Sequence, residues 1–306
     1  MTSDLTTSEC ESEMLGHFKK CVPKLTQTLH KGQCGRIGVI GGSHDYSGAP
    51  YYVAMTALRL GADLSHIFCT KEIAPSIRSY SPDIIVHSTL DSGRVEDTTQ
   101  WFNRLHAIVV GPGLGRDPSI FTAALKVVES AKQQNKLLIF DADSIHLLAQ
   151  NPSLFTNYPR VVLTPNKMEF KVLLKAAGID ENENSCDSLK TVSEFFGGCS
   201  ILLKGSEDLI YSKGEIKTSD FEAGLSRCGG QGDLLSAAVS LFVHWADSYS
   251  QSNPSPKFDP FMIGAYAASA LVRATSHKTF EQFGRSMVAS DMLHNVPKVF
   301  AKMYEI

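Results

Sequence analysis

The run Arg227-Cys228-Gly229-Gly230-Gln231-Gly232-Asp233 opens directly onto Leu234-Leu235-Ser236-Ala237-Ala238-Val239. Three glycines in four positions let the backbone take conformations closed to other residues and turn several N–H groups toward one point. The apolar stretch behind them predicts a buried helix over 233–246, whose free amino-terminal N–H groups and positive dipole end complete a hole for an anion. A transferring phosphoryl group is such an anion. Asp233 stands at the mouth of that hole, where a carboxylate can take the proton of an attacking hydroxyl. The structural alternative is an aspartate that caps the helix after a flexible turn.

Other chemistry-bearing residues also follow apolar runs. Lys204-Gly205-Ser206-Glu207-Asp208 comes after a run at 200–203; a lysine at a strand end can pair with nucleotide phosphates, or simply reach solvent. Gly111-Pro112-Gly113-Leu114-Gly115 follows the run at 107–110, and Gly113 and Gly115 permit close backbone approach or form a plain exit turn. The pattern GxGxxG is absent, so a Rossmann dinucleotide site is not indicated. After Leu163-Thr164-Pro165 stand Asn166-Lys167-Met168-Glu169-Phe170. A carboxylate there can hold a Mg²⁺-bound water near phosphates, and Asn166 or Glu169 can cap a helix. Asp141 and Asp143 end the run at 136–140; paired acids there suit a divalent cation or a polar ligand, and Asp143 also suits a cap. His44, Asp45 and Tyr46 are expected to form a loop over a substrate, and Tyr51 and Tyr52 to be core or interface residues.

The elements that position these groups alternate. Strands are expected at 36–40, 64–69, 84–87, 107–110, 136–140, 161–163, 200–204 and 208–212, with helices at 50–60, 118–134, 144–150, 233–246 and 261–275. Residues 1–33 read as an amphipathic helical lead-in, with Met14, Leu15, Phe18, Val22 and Leu25 at near-helical spacing, and 248–259 as an exposed loop. Continuous apolar strands such as Leu137-Leu138-Ile139-Phe140 are buried on both faces. The fold class is α/β, a mostly parallel central sheet flanked by helices, with ligands beyond the carboxyl ends of the strands. No composition shift marks a boundary, so one domain over 1–306 is expected.

Hydrophobic residues make up 43% of the 306 and charged residues 20%, with a net charge of −3. This is an ordinary globular composition, and it gives no electrostatic reason to expect nucleic acid or an anionic membrane as partner. Seven cysteines, at 10, 21, 34, 69, 186, 199 and 228, form no CxxC pair, which suits free thiols in a reducing compartment. The first 30 residues lack Arg and carry Asp4, Glu9, Glu11 and Glu13, unlike a mitochondrial presequence. A cytoplasmic protein is expected, with a mitochondrial form from an alternative start left open.

The glycine-rich run resembles the signature of the ribokinase-like superfamily, and more narrowly that of the ATP- or ADP-dependent NAD(P)H-hydrate dehydratases. The family's other signature is similar to Gly41-Gly42-Ser43-His44-Asp45-Tyr46-Ser47-Gly48-Ala49-Pro50. The likeness continues through 111–115, Asp141-Ala142-Asp143, Leu163-Thr164-Pro165-Asn166 and Lys204-Gly205, over roughly residues 35–295. One departure is Ala237, where the family usually has Gly; a small packing effect is expected.

The resemblance implies a ribokinase-like layered fold and repair of the S epimer of hydrated NADH or NADPH with consumption of ATP. It implies Asp233 as the catalytic base. It implies ATP at Lys204, Gly205, Ser206, Glu207 and Asp208 and along Ala223-Gly224-Leu225-Ser226-Arg227-Cys228-Gly229-Gly230-Gln231-Gly232. It places the hydrated nucleotide at Gly113, Gly115, Asn166-Lys167-Met168-Glu169-Phe170-Lys171-Val172 and Asp233. Mg²⁺ is the expected cofactor, with no side-chain ligand assigned. About 35 residues precede the first strand, too few for the epimerase domain fused to some relatives, so a separate epimerase partner is expected. A homo-oligomer is expected by analogy. The alternative is a ribokinase-like small-molecule kinase for a vitamin precursor or sugar.

Overall fold

The computed structural model describes residues 7–181, 186–253 and 256–305. In chain order the elements are α1 (Thr7–Cys21), β1 (Arg36–Ile40), α2 (Gly48–Arg59), β2 (Leu64–Cys69), α3 (Ala74–Tyr80), β3 (Ile85–Ser88), α4 (Glu96–Thr99), β4 (Ala107–Val110), α5 (Pro118–Gln133), β5 (Leu137–Phe140) and α6 (Asp143–Gln150). They continue with β6 (Val161–Leu163), α7 (Lys167–Ala176), α8 (Cys186–Phe195), β7 (Ser200–Leu203), β8 (Asp208–Ser212), β9 (Glu215–Ser219), α9 (Gln231–Ser252), α10 (Pro260–Phe283) and α11 (Ala289–Tyr304).

The strands form one sheet in the order β3-β2-β1-β4-β5-β6-β7-β8-β9. Pairing is parallel from β3 to β7 and antiparallel at β7–β8 and β8–β9. Because side chains alternate across a strand, each apolar run feeds two cores. Ile37, Val39, Val109 and Ile139 join the core built with α1, α2, α9, α10 and α11, whereas Ile40, Ile108, Val110 and Phe140 join the one under α5, α6, α7 and α8. Burial on both faces is why these strands read as unbroken hydrophobic runs. The parallel strands all end at one rim, and the turns after β1, β4, β5, β6 and β7 carry most of the chemistry-bearing residues.

Several boundaries differ from the sequence reading, each for a local reason. The expected loop at 248–259 is helical as far as Ser252, since α9 continues through polar Ser248 and Tyr249; Pro254 and Ser255 lie outside the described residues. Helix α10 continues to Phe283, past Thr275. Among the described residues, the lead-in is helical over Thr7–Cys21; Met14 and Phe18 are buried, but Leu25 lies beyond the helix and is 84% exposed. Strand β9 was not expected. It forms because Lys213 (φ 47) and Gly214 (φ 88) make a two-residue turn with both angles positive, the geometry that reverses a hairpin. Among the described residues, no helix is long and apolar enough to cross a membrane.

Candidate active site

Helix α9 starts at Gln231, and its amino-terminal cap is Gly230 in the left-handed conformation (φ 94), with no side-chain cap bond. Asp233 is therefore the third residue inside the helix, not its cap. A side chain at Gly230 would be strained there, and a Cβ would stand 2.6 Å from the Ala289 Cβ and 3.5 Å from the Tyr52 ring. Tyr52 packs against the core as expected and also stands beside the glycine turn. The Gln231 side-chain amide donates to the Ser226 carbonyl (3.0 Å) and the Cys228 Sγ (3.3 Å), tying the preceding loop to the helix start.

The carboxyl of Asp233 has its pKa raised well above the usual carboxylate value. Enclosure by protein is the largest cause, repulsion from Asp141 adds to it, and attraction to Lys204 opposes it. Lys204 is not the solvent lysine of the alternative reading. Its Nζ donates to Asp141 Oδ1 at 2.8 Å and lies 3.8 Å from Glu169 Oε2. A Cβ on Gly232 would be 3.4 Å from the same ammonium, so this glycine brings the helix start up against the positive charge. Burial alone would lower the pKa of Lys204; Asp141, Glu169 and Asp233 together raise it. Asp141 is 2% exposed, and Lys204 is the cation that answers it.

Glu169 combines two roles. Asn166 Oδ1 accepts from the Met168 and Glu169 N–H groups, and Glu169 Oε2 accepts from the Asn166 N–H at 2.9 Å, a reciprocal cap that starts α7 at the end of β6. Burial raises the Glu169 pKa, and Lys204 counters that. The expected cap role of Asp143 is not realised: no side-chain bond caps α6, and the Asp143 carboxylate instead accepts from the Gly115 N–H (2.9 Å) and from Arg116 Nε (3.2 Å). This holds the loop after β4 against β5.

A cavity of about 440 Å³ opens beside these groups. Lys204, Gly205, Asp208, Ala223, Arg227, Gln231 and Gly232 line it, together with Asn166, Lys167 and Met168. Residues expected on the ATP side and the first three of the run at 166–172 therefore share one cavity. Ser206, Glu207, Gly224, Leu225, Ser226, Cys228, Gly229 and Gly230 are close to it in sequence but do not line it; Glu207 and Leu225 are exposed. Phe170, expected at the substrate, has its side chain in the core because it points inward from α7, and Lys171 and Val172 do not line the cavity. Gly113 and Gly115 are approached by the chain itself: a Cβ at either would meet Tyr46 (2.8 Å) or Ser43 (3.1 Å). The loop with His44 and Asp45 lies over these glycines, with Tyr46 exposed and His44 paired to Glu72 at 2.7 Å.

Helix α10 supplies wall residues that no motif flagged, Val272, Arg273 and Ser276, and Leu235 comes from α9. Arg273 donates to the Ser206 and Phe221 carbonyls and lies 3.5 Å from Asp208 Oδ1. Asp208 also accepts from the Gly205 N–H (3.0 Å) and the Ser269 hydroxyl (2.7 Å), so its carboxylate clamps the turn after β7. A lone arginine in an apolar, Gly/Ala-rich helix was the available signal.

A cationic strand end, a glycine-opened helix and a carboxyl with a raised pKa stand together at the rim of a ribokinase-like fold. A solved ribokinase-like superfamily protein from Enterococcus faecalis shares that fold, with a TM-score of 0.78 over 95% of both chains at 21% identity. A Bacillus subtilis structure described as an ADP/ATP-dependent NAD(P)H-hydrate dehydratase co-crystallized with ATP/Mg²⁺ matches with a TM-score of 0.70 over 94% of this chain and 97% of that one, at 22% identity. A family model described as NAD(P)H-hydrate dehydratase matches residues 37–298. A Danio rerio protein named ATP-dependent (S)-NAD(P)H-hydrate dehydratase is 43% identical over 290 residues, 94% of this chain and 88% of that protein. The chain belongs to the NAD(P)H-hydrate dehydratase family.

Proposed function

We propose that this chain returns the S epimer of hydrated NADH or NADPH to the intact cofactor with consumption of ATP, by phosphorylating the ring hydroxyl and eliminating phosphate. Asp233 removes the hydroxyl proton as the oxygen attacks the γ-phosphorus, and ADP leaves. The N–H groups at the start of α9 and the Lys204 ammonium stabilise charge on the moving phosphoryl group. Breakage of the C–O bond, with loss of a ring proton, then releases phosphate and restores the ring double bond. The observation that carries this reading is the position of Asp233, three residues into a glycine-opened helix with its carboxyl held basic.

Mg²⁺ fits as an ion carried on the triphosphate. Among the described residues, no three Asp, Glu, His or Cys groups form a metal cage. Mg²⁺ bound to phosphates needs only one or two carboxylates and keeps its waters. Glu169 commits Oε2 to the Asn166 N–H and Lys204, which leaves Oε1 to hold such a water. The ion would supply neutralising charge on the phosphate oxygens. An epimerase that interconverts the two hydrates is the partner this reading implies.

Incubation with hydrated NADH and ATP tests the reading: the near-ultraviolet absorbance of reduced nicotinamide and free phosphate should rise in equal amounts. A stable phosphomonoester without recovered absorbance would point to the kinase alternative. The pH profile adds a second check. A base must be ionised to act, and the Asp233 pKa lies above the ordinary 3.8, so the acid limb of kcat/KM should lie above that value. Asp141→Asn removes one of the raising charges and should move the limb to lower pH. A limb at the ordinary carboxyl value, unmoved by that change, would count against Asp233 as the base.

A further inference from the structure

Among the described residues, the cavity wall includes a buried polar atom that the fold leaves unanswered. Ser276, on α10, lines the cavity and is 2% exposed, and its hydroxyl has no hydrogen-bond partner among the described residues. The usual remedy for a helical hydroxyl is to donate to the carbonyl one turn back. Thr275 and Thr279 on the same helix do so, to Leu271 at 2.8 Å and to Thr275 at 2.7 Å. Ser276 does not. Buried hydroxyls are rarely left without a partner, and an exception in a cavity wall points to a ligand.

The surroundings say what kind of ligand. Gly224 packs directly against this stretch of α10: a Cβ there would stand 2.7 Å from the Phe280 Cβ and from the Ser276 carbonyl oxygen and 3.1 Å from Ser276 Oγ, so any larger residue would crowd the hydroxyl. Leu235, Val272, Ala223 and Met168 give the same cavity apolar walls, while Lys204 and Gly232 meet where phosphate is expected. A flat ring with apolar faces and a hydrogen-bonding edge matches such walls, and a hydroxyl can both donate to a ring nitrogen and accept from an exocyclic amine.

We propose that Ser276 is a specificity-determining residue that hydrogen-bonds the base edge of the nucleotide. This rests on the reading that ATP occupies the cavity. The test is Ser276→Ala in the full chain, with binding of ATP, 2′-deoxy-ATP and inorganic tripolyphosphate measured by calorimetry alongside thermal melting. ATP and 2′-deoxy-ATP should each weaken by the same factor, roughly three- to tenfold, the worth of one neutral hydrogen bond. Tripolyphosphate affinity should not change. The variant should melt at or above the wild-type temperature, because the lost hydroxyl had no protein partner; a structural serine would lower it. Unchanged ATP affinity would overturn the inference, as would weakened ATP with unchanged 2′-deoxy-ATP, which would assign the hydroxyl to the sugar. A tripolyphosphate loss equal to the ATP loss would overturn it as well. Wild-type chain that binds no ATP would overturn the ATP reading together with this inference, whereas equal ATP binding by wild type and variant overturns this inference alone.

Discussion

Asp233→Asn should stop turnover, leave ATP bound and make the chain more stable. Removal of a general base costs about 10²–10⁴-fold in rate, and the amide is nearly the same size as the carboxyl, so the anion hole keeps its shape. The stability gain follows from the sign of the pKa shift. Folding raises the Asp233 pKa, so the folded chain holds that proton more tightly than the unfolded chain. The resulting stabilisation is fully present below the ordinary carboxyl pKa and is lost as pH rises through the folded value. Above the ordinary carboxyl pKa the group therefore costs the folded chain stability, a cost that uncharged asparagine does not carry. The melting temperature should rise by the equivalent of on the order of 1 kcal/mol, the size typical when a site sacrifices stability for activity. Melting curves with and without ATP check both parts. A lower melting temperature would make Asp233 a structural residue, which the cap at Gly230 argues against.

Lys204→Met should have the largest effect on stability. It leaves Asp141 buried at 2% exposure without its cation, and Glu169 without its counter-charge. Breaking a buried pair from one side costs about 3–5 kcal/mol. The contribution has a defined pH range: the Lys204 pKa is raised, so its stabilisation is fully present below the ordinary lysine value and is lost only as pH climbs through the folded one. The loss should thus be complete at neutral pH in a urea titration. Adding Asp141→Asn should restore part of the stability but not ATP affinity, which should fall roughly ten- to a hundredfold with the loss of a charged phosphate partner. Equal stability of Lys204→Met and wild type would show that the ammonium does not hold this cluster.

Much of this arrangement could be read from local sequence. Strands β1, β2, β4, β6 and β8 match their expected bounds to the residue, and of these β4 and β6 are continuous apolar runs buried on both faces. Glycine and acidic residues after those runs marked the rim. What local sequence does not carry is contact across distance. Asp141 and Lys204 are 63 residues apart, and nothing near either one announces the pair. A capping role for Asn166 or Glu169 was legible, but that the two cap reciprocally, and that Glu169 also stands beside Lys204, was not. The wall contributed by α10 was hidden because its apolar, small-residue face reads as packing, and Ser276 acquires meaning only once the helix is set against Gly224.

The most direct measurement follows the ring oxygen. Hydrated NADH carrying oxygen-18 in its ring hydroxyl should, after one turnover with unlabelled ATP, yield phosphate containing one labelled oxygen, because that oxygen attacks phosphorus and leaves attached to it. Unlabelled phosphate, with the heavy oxygen recovered in water, would show that ATP is hydrolysed separately and that no phosphoryl group ever reaches the substrate.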